Sequence, residues 1–185
     1  MDSMDKISFC IDRIRMRNSL LPSFSRVILL ALVATSVASL ASSPGRVTNQ
    51  ELDAYWADVS RCVGAGDFAR YSSLYHKDAV LVSGIRGNSE PISQALARWK
   101  AGIDATREGK VQASVEFRFS SRKLSPTTAH ETGIFLYKES GEGRDPVEDY
   151  IHFEALLVKQ GCRWLATMEY QKSKATVADW NALGK

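Results

Sequence analysis

The sequence predicts an α+β domain in which the helices come first and the sheet comes last. Three observations carry that prediction. Between Leu52 and Ile103, apolar residues recur at steps of three and four, the period of helices packed on one side. From Lys110 the period drops to two and holds as far as Lys172. Turn chemistry then divides this second half into four long strands, with tight turns at Ser125-Pro126 and Gln160-Gly161 and a longer loop over residues 140–146.

Taken in order, Thr48 or Asn49 caps the first helix, and Glu51 three residues after Thr48 completes a capping-box pattern. Leu52, Tyr55, Trp56, Val59 and Val63 form its apolar stripe, with Asp53, Asp58 and Arg61 opposite. Gly64 and Gly66 stop this helix, and Asp67 caps a short second one carrying Phe68, Tyr71, Ser72 and Tyr75 on one face. His76-Lys77-Asp78 is a polar corner leading into a buried strand over residues 79–82. Residues 83–89 read as a turn-rich loop, or as a tight hairpin with a very short second strand. Pro91 suits a first helical position, with Ser89 or Glu90 as its cap. Ile92, Ala95, Leu96, Trp99 and Ile103 give a third amphipathic helix ending near Gly109.

The four strands are expected over residues 110–124, 127–138, 147–159 and 162–172, and a last helical turn carries Trp180. If Lys159 faces Cys162 across the last turn, Leu157 meets Trp164, Ala155 meets Ala166, Phe153 meets Met168 and Ile151 meets Tyr170. That set is the inner face. His152, Glu154, Thr167, Glu169 and Gln171 then share the outer face, with His152 directly opposite Glu169.

The N-terminus reads as a targeting segment. Residues 27–40 are an apolar run of fourteen with Arg17 and Arg26 ahead of it, short for a membrane span and suited to a secretory signal. Ser39-Leu40-Ala41 places small residues where a signal peptidase cuts, so cleavage is expected after Ala41, giving a secreted or periplasmic protein with no stable membrane anchor. Asp2, Asp5 and Asp12 are unusual in such a leader, and Met16 offers an alternative start. Residues 42–47 form a lead-in, 48–173 the domain and 174–185 a tail.

The full chain has 24 basic and 21 acidic residues, a formal charge of +3. Residues 1–41 hold five of those bases and three of the acids, which leaves the remainder close to neutral and without a Lys/Arg run. Nucleic-acid binding loses its electrostatic footing. Cys62 and Cys162 are an even pair in an oxidising compartment and invite a disulfide, with two separately buried thiols as the default reading.

The order of these landmarks resembles the SnoaL-like branch of the nuclear-transport-factor-two-like superfamily. The likeness rests on Gly64-Ala65-Gly66-Asp67, on Leu74-Tyr75-His76-Lys77-Asp78-Ala79-Val80, on Ile92 with Trp99, on Ala129 with Gly133, and on Gly161-Cys162-Arg163-Trp164. It implies a cone-shaped, curved mixed β-sheet with the N-terminal helices closing an apolar pocket. Homodimers through the outer sheet face are common among such proteins. Ketosteroid isomerases, which share this architecture, use an Asp base and an oxyanion hole that includes a Tyr. Aligned on the same landmarks, those positions hold Ser83 and Val59, neither of which can do that work.

The leading expectation is therefore a binding module for a small apolar or aromatic molecule. Tyr55, Trp56, Tyr75, Trp99, Phe117 and Tyr170 are its candidate lining, and no cofactor is required. An alternative is a cofactor-free lyase, isomerase or hydrolase using His130, if that imidazole points inward, with a pocket tyrosine. A third reading is a homodimerising interaction domain built on the outer face. His76, His130 and His152 lack metal-ligand spacing, and no glycine-rich phosphate loop or Ser-His-Asp pattern is present.

Overall fold

The computed structural model describes residues 49–184. Among these residues three helices precede most of the sheet: α1 (Asn49–Ala65), α2 (Phe68–Ser72) and, after a hairpin of β1 (Tyr75–Ser83) and β2 (Asn88–Pro91), α3 (Ile92–Arg107). Four long strands follow: β3 (Val111–Leu124), β4 (Thr128–Gly141), β5 (Arg144–Gln160) and β6 (Arg163–Lys174), with a closing α4 (Val177–Ala182). They form one six-stranded sheet in the order β2-β1-β6-β5-β4-β3. Only β1 and β6 run parallel, so the sheet is mixed. The expected secretory leader, the lead-in and the Thr48 cap lie outside the described residues. Among the described residues, no helix is long and apolar enough to cross a membrane.

The helices form for the reasons their sequence suggests. Leu52, Tyr55, Trp56, Val59, Cys62 and Val63 are the buried stripe of α1, and they pack on the inner face of the sheet with Phe153, Ala155 and Leu157. Asp67 caps α2 by accepting the amide of Arg70 at 3.0 Å. Gly66, at φ +67°, lets the α1–α2 break press against the end of α3; an added Cβ would sit 2.3 Å from the Arg107 nitrogen.

Several local expectations differ. The Glu51 carboxylate, whose expected capping partner Thr48 lies outside the described residues, accepts Lys159 Nζ at 2.6 Å and Trp164 Nε1 at 2.8 Å, tying α1 to the β5–β6 turn. Pro91 is the cap of α3 rather than its first residue, and Glu90 is held by Arg86 and Arg98. Of the two readings of residues 83–89, the hairpin holds, with β2 as its short second strand. Tyr75 opens β1 instead of ending α2. The long loop expected over residues 140–146 is nearly all strand, because β4 and β5 stay paired as far as Gly141 and Arg144. Pro146 is tolerated there because β6 pairs with β5 only from Ile151 onward, so the β6 side of β5 requires no donor at Pro146.

The β5–β6 register also differs. Gln160 faces Arg163, so Gly161-Cys162 make the turn and Lys159 meets Trp164, two residues from the expected pairing. A shift of two preserves faces, and Ala155, Leu157, Trp164 and Ala166 remain inside as expected. A bulge then intervenes. Leu157 pairs with Ala166 but Leu156 pairs with Met168, which leaves Thr167 unmatched, its hydroxyl donating to the Leu156 carbonyl at 3.1 Å. From Met168 to Gln171 the side chains of β6 therefore change face, until a second bulge at Lys172 restores the original alternation. Met168 and Tyr170 turn outward, opposite Leu156 and Glu154, while Glu169 and Gln171 turn inward, opposite Ala155 and Phe153.

A second irregularity bends the other edge. Between Phe119 and Ser121 the β3–β4 register slips, opposite Gly133. A Cβ on Gly133 would lie 2.0 Å from the Arg118 carbonyl oxygen, so only glycine allows this approach. The outer face is capped locally by α4, whose Trp180 is buried on Ile134 and Leu136 under the guanidinium of Arg118.

Candidate functional site

The curved sheet and the three helices enclose a cavity of about 550 Å³. Its walls are apolar and aromatic: Trp56, Val59 and Val63 from α1, Trp99 and Ile103 from α3, and Val115, Phe117, Phe135, Ile151 and Phe153 from the sheet. The rings interlock, with Trp56 and Phe117 centroids 4.5 Å apart and Phe117 and Phe153 5.7 Å apart. Exposed Ile85, Arg98 and Lys174 mark the opening.

Polar groups enter this wall at few places. Glu169 is the central one: its Oε2 accepts Tyr75 OH at 2.7 Å and its Oε1 accepts Gln171 Nε2 at 2.8 Å. Tyr71 OH lies 3.2 Å from Tyr75 OH, which completes a Tyr71–Tyr75–Glu169 row running from α2 through β1 to β6. Across the cavity, Tyr137 donates to Glu139 at 2.7 Å. Glu169 is half-buried and lines the cavity. Burial pushes its carboxyl above the ordinary carboxylate value, against the opposing effect of the Gln171 and Tyr75 hydrogen bonds. Burial, reinforced by the Glu169 charge, also holds the Tyr71 and Tyr75 phenols protonated well past their usual range.

That shift has a sign. A carboxyl raised in the folded state binds its proton more tightly there than in the unfolded chain. Stability therefore falls as pH rises from about 4.5, the unfolded value, toward the raised folded value. The expected slope is about 1.4 kcal/mol per pH unit within that window. Glu169→Gln removes the titration, so its melting temperature should gain on the wild type between pH 4 and pH 8. An unchanging difference across that range would exclude a raised Glu169.

The sequence-derived candidates divide. Trp56, Tyr75, Trp99 and Phe117 are in the cavity wall. Tyr55 does not; it is buried behind Trp56 and donates to the Leu74 carbonyl at 3.2 Å. Tyr170 is on the outer face, turned there by the Thr167 bulge. His130 is also outside: its Nε2 lies 3.4 Å from Glu154, which in turn accepts Lys172, in a groove with Leu156 and Thr167. That position ends its role as a base in the cone. His152 does not oppose Glu169; it pairs with Ser173 and lies 3.8 Å from Asp179. Cys62 is a free, buried thiol raised to about 11 by desolvation, so the disulfide with Cys162, the lesser of the two readings, is not formed.

Val59 and Ser83, aligned above with the two ketosteroid-isomerase positions, have different surroundings. Val59 is an apolar wall residue, and buried Ser83 spends its hydroxyl on the Arg86 amide at 3.1 Å. Among the described residues, no group of three or more His, Cys, Asp or Glu could hold a metal ion. Glu169, Gln171, Tyr71 and Tyr137 are the polar lining that sequence reasoning missed. The bulge that turns Glu169 and Gln171 inward left no signal in the sequence.

A curved mixed sheet closed by helices around a cavity is the cone fold of nuclear-transport-factor-two-like proteins, and comparison with solved structures shows the same fold. A conserved protein from Planctomyces limnophilus is 14% identical, with a TM-score of 0.57 over 66% of this chain and 92% of that one. A nuclear-transport-factor-two-like protein of unknown function from Shewanella oneidensis is 18% identical, with a TM-score of 0.51 over 66% and 96% of the two chains. A ketosteroid isomerase-like protein from Erwinia carotovora atroseptica is 15% identical, with a TM-score of 0.51 over 69% and 95%. No family model matches the sequence. No curated protein matches it either.

Proposed function

We propose that the cone binds a small, flat, largely apolar molecule whose polar group meets Glu169. The observation that carries this reading is one desolvated carboxyl, fixed by Tyr75 and Gln171, inside a wall of interlocked rings. A volume of about 550 Å³ suits an organic molecule of ordinary ligand size. The polar group fixes orientation and the rings supply burial.

The test is to incubate the full chain with host-cell extract and identify retained small molecules by mass spectrometry. Gly102→Trp is the control: Gly102 lines the cavity, and a Cβ there meets nothing within 4 Å. The added indole should fill the cavity while leaving the fold intact. A compound retained by the wild type and lost from the variant supports the reading. A cavity that retains nothing, or retention unaffected by Gly102→Trp, overturns it.

A second reading makes the same site a cofactor-free lyase, isomerase or hydrolase in which Glu169, in place of His130, moves the proton. The hydrogen-bonded Tyr71–Tyr75–Glu169 row favours it. Turnover of the retained compound, abolished by Glu169→Gln, would separate enzyme from binder. Self-pairing through the outer face is supported by the outward Met168 and Tyr170 beside exposed Val80 and Leu156; a strictly monomeric mass in light scattering would exclude it. Export through residues 1–41 stands beside it, tested by recovery of the chain outside the cytoplasm.

A further inference from the structure

We propose that the molecule bound in the cone is an aromatic organic cation, an amine or quaternary ammonium whose positive charge is neutralised by Glu169. This rests on the ligand-binding reading and narrows it to one chemical class.

The argument begins with counter-ions. A carboxylate taken out of water is costly to leave unpaired, and proteins ordinarily supply it with an arginine or lysine. Glu169 has none among the described residues. The groups facing it are Tyr71 from α2, Tyr75 from β1, Gln171 from its own strand, and Ala155 and Phe153 from β5, all uncharged. Tyr55 of α1 lies within reach of its charge and is equally neutral.

The two cations at the cavity are already engaged. Arg98 is bidentate to Glu90 at 2.5 Å on both nitrogens, and Lys174 holds Asp149 at 2.5 Å. Both side chains are exposed, and neither bonds Glu169. The unmet requirement at the base is one positive charge.

The walls suit the same occupant. Aromatic faces attract organic cations through their quadrupoles, and this attraction grows when water is excluded. Tyr71, Tyr75, Trp99 and Phe117 present such rings around the cavity. A neutral hydrocarbon would gain the burial but leave the carboxylate without a counter-ion. An anion would be repelled by Glu169 directly.

The experiment uses three naphthyl probes of one skeleton on the full chain, read by tryptophan fluorescence: (1-naphthylmethyl)trimethylammonium, 1-naphthalenemethanol and 1-naphthoate. At pH 8 the ammonium probe should bind about tenfold or more tightly than the alcohol, and the carboxylate least. Glu169→Gln should abolish the ammonium probe's advantage over the alcohol. Acidification should weaken the ammonium probe alone, because its charge is fixed and Glu169 takes up a proton. Preference for the alcohol or the carboxylate, or an ammonium affinity indifferent to Glu169→Gln, overturns the cation assignment while leaving a binding cavity. Entry of no probe at all overturns the cation assignment together with the ligand-binding reading beneath it.

Discussion

Glu131→Ala should destabilise the domain by about 3–5 kcal/mol, measured as the loss in urea unfolding free energy at neutral pH. Glu131 is completely buried on β4, where its Oε2 accepts Trp56 Nε1 at 2.6 Å and its Oε1 is paired with Arg122 Nε. Arg122 is itself largely buried, stacks 4.3 Å above the Phe119 ring and also reaches Asp53. Removing the carboxylate leaves a guanidinium and an indole N–H in a site with little water to replace it. Loss of one partner of a buried pair costs far more than the pair contributes. The double variant Glu131→Leu with Arg122→Met should therefore recover most of the loss, since neither charge remains to be desolvated. A single variant within about 1 kcal/mol of the wild type would show that water reaches this corner.

The Glu131 network clarifies what was legible in the sequence. Trp56 was readable as an inward residue of α1 from its spacing alone, but its acceptor, 75 positions later, was not. Periodicity assigns a face and never a partner. The same limit explains Glu51, whose spacing from Thr48 matched a capping box while its carboxylate was required by Lys159 and Trp164 at the far end of the sheet. Helix stripes, the change to period two and the Trp180 turn were all legible because burial of a whole face imposes them.

The base of the cavity was illegible for a specific reason. Alternation along β6 marked Met168 and Tyr170 as inward, and they would be, had the strand no extra residue. Thr167 is that residue, and a bulge leaves no mark in composition. Its effect is to exchange two apolar side chains for Glu169 and Gln171 inside the cone. A strand that breaks its own hydrophobic pattern in this way is locally unfavourable, which is the kind of inconsistency expected at a functional site. His130 illustrates the converse: its chemistry drew attention, but no bulge separates it from its neighbours and ordinary alternation keeps it outside.

Phe153→Ala should be as damaging as Glu131→Ala, at about 3–5 kcal/mol, through packing rather than charge. Phe153 is the largest fully buried side chain, and its ring meets Trp56, Phe117, Phe119 and Phe135 at centroid distances of 5.5, 5.7, 6.1 and 5.9 Å. Four such contacts on one ring make it the point where the core and the cavity wall are the same structure. The void left by truncation opens into the existing cavity, so its cost responds to whatever occupies that space. A ligand that fills both stabilises the folded state by mass action. The variant should therefore show a larger rise in melting temperature than the wild type when saturated with the naphthyl alcohol, which carries no charge to interact with Glu169. Equal shifts in the two proteins would mean that the wall closes up behind the missing ring, and that Phe153 supports the core without shaping the site.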